Sequence, residues 1–114
     1  MANLINETIN TKEAILFMYG SINKVSEQFI KMLKYCKNNK LNIVDLFFDT
    51  STISTYEKEA FYQLLDYLKH HKTKQAVVFY SRIEYNKCPW THKLNPFRDS
   101  GQIELRFAKD NVTI

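Results

Sequence analysis

The chain has 114 residues, 45% of them hydrophobic and 14% aromatic, enough apolar material for one packed core. Two glycines and two prolines exclude a low-complexity linker, and a formal charge of +4 leaves a polyanionic partner open without requiring one. No repeat or compositional break divides the sequence, so one domain over residues 1–114 is expected, opening with a polar segment over residues 1–13.

That opening segment lacks the apolar run of a secretion signal. No stretch approaches the roughly 18 apolar residues of a membrane span. A cytoplasmic chain without a membrane partner is expected, with Cys36 and Cys88 as reduced thiols. The Asn-x-Thr sequons at Asn6 and Asn111 then carry no sugar.

"AILFMY" (Ala14 to Tyr19) is a continuous apolar run, the pattern of a strand covered on both faces. After the polar turn "GSINK", apolar residues recur at Val25, Phe29, Met32, Leu33 and Cys36. These are helical steps, with Lys31, Lys34 and Lys37 turned outward. Asn23 or Ser26 is the expected N-cap, Asn23 the better of the two. "NIVDLFFD" (Asn42 to Asp49) predicts a second buried strand. In the polar loop after it, Ser54 and Glu57 form a capping box for a helix carrying Phe61, Leu64, Leu65 and Leu68.

"LKHHKTK" (Leu68 to Lys74) falls where that helix ends, so its Lys and His side chains complement the negative end of the helix dipole. The competing reading is a phosphate contact through Lys69, Lys72 and Lys74. "QAVVFY" (Gln75 to Tyr80) predicts a third strand. "CPWTHKLNPFRDSG" carries both prolines and reads as short helix or loop. There Trp90 and Phe97 either cover the sheet or form a patch for a partner. "QIELRFA" alternates Ile103, Leu105 and Phe107 with Glu104 and Arg106, the period of a half-buried fourth strand near an edge.

Strands alternating with crossover helices predict an α/β fold, a three-layer sandwich around a mainly parallel four-stranded sheet. Ligands gather beyond the carboxyl ends of such strands. That directs attention to Tyr19–Lys24, Asp49–Tyr56 and Ser81–Trp90. No cofactor is expected, since Gly20 and Gly101 alone cannot build a phosphate-cradling loop. No metal is expected either, because Cys88 and His92 beside His70 and His71 match no zinc spacing.

In order and spacing the chain resembles the catalytic domain of the serine recombinases, the resolvase/invertase family, from about Ala14 onward. "QFIKMLKYCKNNKLNIVDLFFD" is similar to the family's Q-x-x-x-L-x-x-Y-A-x-x-N-G-W-x-I-V helix and strand. "AFYQLLDYL" is similar to the helix after its Arg-Pro element, and "IELRFAKDNVTI" to its G-V-x-L-x-F-V-x-E-N strand. The resemblance implies a resolvase-like fold, DNA strand cleavage by a serine, and arginines that neutralise the attacked phosphate. A guanidinium suits that task because it offers two parallel donors to two oxygens.

The family signature is Y-x-R-x-S at the end of the first strand, an arginine before the second helix, and D-R-L-x-R after the third strand. Aligned on Tyr19, Ser21 stands at the arginine and Asn23 at the serine. Aligned on Gln28 without a gap, Phe17 and Tyr19 stand there instead. Lys58 corresponds to the arginine before the second helix. Glu84 falls at the aspartate, Tyr85 at the first arginine and Cys88 at the second, with Arg82 nearby but shifted.

Ser21, Asn23, Lys58 and Glu84 are therefore vestigial site candidates, and strand cleavage is not expected of this chain. The family's long helix and DNA-binding domain beyond the last strand are also not seen before Ile114. The expected role is that of an interaction module or mobile-element remnant tied to DNA recombination, with DNA or a full-length recombinase as partner. Two alternatives stand beside it: an active recombinase using Ser21, and a basic nucleic-acid-binding module.

Overall fold

A computed structural model describes residues 12–50 and 59–114. The expected capping box at Ser54 and Glu57, and Lys58, lie outside the described residues. The elements run β1 (Lys12–Gly20), α1 (Ile22–Asn38), β2 (Leu41–Thr50), α2 (Glu59–His70), β3 (Gln75–Phe79), α3 (Arg82–Lys87), a 3-10 turn (Thr91–Leu94), α4 (Asn95–Asp99), β4 (Ile103–Phe107) and β5 (Val112–Thr113). The sheet order is β2-β1-β3-β4-β5, parallel except for the final pair.

The sheet has five strands rather than the expected four. The extra one is two residues long, too short for any periodic signal. It exists because Asn111 takes a left-handed turn conformation (φ 54°), which asparagine tolerates, and its amide bonds the Phe107 carbonyl at 2.8 Å. β5 pairs with the outer edge of β4, whose Ile103, Leu105 and Phe107 are buried in the α2-side core while Glu104 and Arg106 on the other face are half-buried.

Helices cover both faces. Met32, Tyr35 and Cys36 of α1 pack on Ala14, Leu16, Met18, Ala76 and Val78. On the opposite face, Phe61, Leu64 and Leu68 of α2 pack on Ile15, Phe17, Val77 and Leu105. β1 lies between the two layers and is buried from Ala14 to Met18, as its apolar run predicts.

β2 departs from expectation. It is an edge strand, not a buried one, and its register with β1 shifts between Ala14 and Ile15, leaving Val44 as the extra residue. Before that bulge Ile43 packs on the α1 side; after it, Leu46 and Phe48 stand beside Leu16 and Met18 on that side, while Phe47 packs on the α2 side. An inserted residue reverses side-chain parity along a strand. Leu46 and Phe48 are consequently 37% and 52% exposed, with Ile30 and Leu33 of α1 also open to solvent.

The helix start also differs. β1 runs through Gly20 (φ 148°), one residue past the expected end at Tyr19, and α1 starts at once, so Ser21 rather than Asn23 caps it. Trp90 is core: its ring lies 4.4 Å from Phe61 and edge-on to Phe17 and Tyr19, with Phe97 packed at the margin of the same cluster.

Phe61 is fully buried, so Phe61→Ala should lower unfolding free energy by about 3–5 kcal/mol in urea denaturation. Phe48→Ser on the open face of β2 should change it by less than about 1 kcal/mol.

Candidate functional site

The carboxyl ends of β1 and β3 present two serines in the same local role. Ser21 has extended backbone, and its Oγ accepts the Lys24 amide at 3.4 Å. Ser81 begins α3 in the same way, accepting the Glu84 amide at 3.1 Å. Each hydroxyl satisfies one of the donors that a helix start leaves unpaired. The two first turns are joined by Lys24 Nζ, 3.3 Å from Glu84 Oε1. With the lysine half exposed, this bridge contributes at most about 1 kcal/mol.

At the end of β2, Asp49 is buried and its two carboxylate oxygens accept the Ala60 and Phe61 amides at 2.9 and 3.2 Å. A carboxylate at a helix start bonds orphan amides and complements the dipole at once. Asp49 thereby anchors α2 across the top of the sheet.

Of the residues singled out in the sequence, Ser21 and Glu84 meet through Lys24. Asn23 is exposed in the first turn of α1, and Lys58 lies outside the described residues. Lys69, Lys72 and Lys74 are exposed where α2 leads into β3, at the opposite end of the sheet from Ser21. In the ungapped register, Phe17 and Tyr19 pack against Trp90.

The arginines do not assemble around the serine. Arg82 is exposed, and its backbone amide donates to Asp110 at 2.7 Å. Arg98 pairs with Asp99 on α4, which leads into the amino end of β4. Arg106 gives its Nε to Glu104 at 2.7 Å, and the same carboxylate takes Lys12. No ion pair or hydrogen bond joins any of the three to Ser21 among the described residues.

Tyr85 and Cys88, the positions matched to the two arginines of the D-R-L-x-R motif, are buried. Tyr85 packs edge-on against Phe79 and Phe107, and burial pushes its hydroxyl pKa upward. Burial lifts the Cys36 thiol from 9.0 to about 11 against a small opposing pull from Arg106. It lifts Cys88 equally, with Glu84 and Asp49 adding to the effect.

Sequence reasoning missed Asp49, Lys24 and Gln28 as structural actors. Asp49 carried a usable signal, a carboxylate closing a strand ahead of a helical stripe. Gln28 sits on the apolar side of α1 between Val25 and Met32, a polar break in the stripe that the pattern passes over; it is 4% exposed.

No family model matches the sequence, and no curated protein matches it. Solved structures do match by shape. A resolvase family site-specific recombinase from Streptococcus pneumoniae superposes with a TM-score of 0.71 at 14% identity, over 90% of this chain and 76% of that one. The N-terminal catalytic domain of TP901-1 integrase superposes at 0.66 and 14% identity, over 90% and 81%. The fold is thus that of a serine recombinase catalytic domain, a resolvase-like α/β sandwich.

Ser21→Ala should cost about 1 kcal/mol of stability through the lost cap, and Ser21→Asp should recover most of it in the same denaturation assay. The cysteines set a pH dependence. An unfolded chain ionises them near 9.0 while the native state holds the protons to about 11. Stability is therefore intact below pH 9 and should fall as pH rises toward 11. Denaturation midpoints at pH 8 and pH 10.5 read this directly, and Cys36→Ala with Cys88→Ala should flatten the difference.

Proposed function

We propose that this chain is a resolvase-type recombination domain that does not itself cut DNA and acts by docking on a recombination partner, either DNA or a full-length recombinase. The observation that carries this reading is the burial of Tyr85 and Cys88 at the positions matched to the family's phosphate-binding arginines. Attack on a phosphodiester builds negative charge on the phosphoryl oxygens, and loss of one preorganised donor typically costs about 10² to 10³ in rate. An aromatic ring and a neutral thiol in the core supply no such donor. The Ser21 hydroxyl oxygen accepts the Lys24 amide, and among the described residues no hydrogen bond or ion pair joins it to a base or a guanidinium that could activate it.

The exposure of the apolar side chains Ile30 and Leu33 on α1 and Leu46 and Phe48 on β2 supports the docking half of the reading, since exposed apolar surface marks interaction sites. Association with a mobile element belongs to the same proposal.

Incubation with nicked half-site DNA, followed by denaturing electrophoresis, should yield no protein–DNA conjugate. A conjugate that disappears in Ser21→Ala would establish the active-recombinase reading instead. If docking uses the open face, Phe48→Lys should abolish co-purification with a co-expressed serine recombinase while leaving the fold intact. A nucleic-acid module working through Lys69, Lys72 and Lys74 would instead give DNA affinity that falls steeply with salt.

A further inference from the structure

A cleft runs along α1 beside the ends of β3 and β4, with Ser81 on its wall. Its larger part, about 620 Å³, is lined by Lys31, Lys34, Tyr35, Tyr80, Lys109 and neighbouring asparagines. A smaller part of about 250 Å³ continues past the shared Lys31, Tyr80 and Lys109 to Gln28, Glu27 and the Lys24–Glu84 bridge. Four lysines line the two parts against two glutamates, and Glu84 is already held by Lys24. Among the described residues, Lys31, Lys34 and Lys109 have no carboxylate partner.

Gln28 supplies an independent sign of a ligand. It lines the smaller part, is 4% exposed, and its buried Nε2 has no acceptor among the described residues. Leaving a buried donor unpaired costs about 1–3 kcal/mol, so such a group is rarely kept without a partner. The amide's terminal torsion is broad, and rotation about it can turn the donor toward the cleft. Lys31 also reaches across, with Nζ 3.4 Å from the Tyr80 hydroxyl and 5.7 Å from the centre of its ring. A cation, a neutral hydroxyl and an amide donor at one wall fit an oxyanion. The volume of the larger part exceeds what a bare oxyanion needs and matches the size of small-molecule pockets.

We propose that this cleft binds a small phosphate ester, its phosphate held by Lys31, Lys109 and the Gln28 amide, and its remaining group lying along Tyr35 and Tyr80. The site is separate from Ser21 and from the basic cluster at Lys69–Lys74, and it stands whether or not the domain cuts DNA.

The test is an NMR titration of the ¹⁵N-labelled chain with a nucleoside 5′-monophosphate, with inorganic phosphate, and with a short DNA duplex. The monophosphate should saturably shift the Gln28 carboxamide and the Lys31 and Lys109 amides, with inorganic phosphate competing at the same signals. Combined Lys31→Ala and Lys109→Ala should weaken binding about tenfold or more with spectral dispersion unchanged, while Lys69→Ala with Lys72→Ala should leave it as it was. Absence of saturable shifts at those three residues would overturn the proposal. So would a response to the duplex alone, or affinity unchanged in the Lys31/Lys109 variant.

Discussion

The contact between Trp90 and Phe61, ring centres 4.4 Å apart, helps hold together the end of this domain beyond the carboxyl ends of the parallel strands. Trp90 also touches Phe17 and Tyr19 of β1, so one indole ties the central strand, α2 and the segment between β3 and β4 into a single cluster. Large aromatics in offset and edge-on contact contribute both buried area and roughly 0.5–1.5 kcal/mol per pair beyond it. With that segment pinned, α3 is held at the end of β3 and Glu84 faces Lys24 across the crest. The short helical pieces between Arg82 and Asp99 are held on the α2 side by Trp90 together with Tyr85, Cys88 and Leu94 of the same cluster.

The polar groups at the crest serve the fold. Ser21 and Ser81 cap helices, and Asp49 binds two amides at the start of α2. These are the places where an α/β sheet offers helix starts to a ligand, and here the protein's own side chains occupy them. The arginines follow the same logic, with Arg98 and Arg106 each beside a carboxylate of their own element. A resolvase-like scaffold is retained while the positive charge gathers elsewhere, along α1 at Lys31 and Lys34 and at Lys109 beyond β4.

Much of the architecture was legible beforehand because it rests on local periodicity. The apolar run at Ala14–Tyr19, the helical stripe from Val25 to Cys36 and the two-residue alternation of Ile103, Leu105 and Phe107 each became the expected element. The resemblance carried in "QFIKMLKYCKNNKLNIVDLFFD" pointed to the fold that structural superposition then showed. What failed had no local signal. β2 reads as a buried strand because its run is largely apolar, yet edge position is set by which neighbours pair with it, and at the edge Leu46 and Phe48, brought to the α1 side by the bulge at Val44, stay exposed. β5 is two residues long and depends on the conformation of Asn111. Ser21 displaced Asn23 as the cap because the helix starts at Ile22, directly after the strand ends at Gly20, leaving no room for the longer polar loop expected.

By itself, then, the sequence determined the main element types, the parallel layered architecture and the absence of an Arg-x-Ser pair at the end of the first strand, since these depend on residue identity and on spacing along the chain. Only the tertiary structure decided that Tyr85 and Cys88 are core, that three arginines stay apart from Ser21, and that Gln28 shares a cleft with Lys31 and Lys109. Those relations join residues far apart in the chain, and they are set by sheet order and by the competition of side chains for the same buried space, which no local pattern encodes.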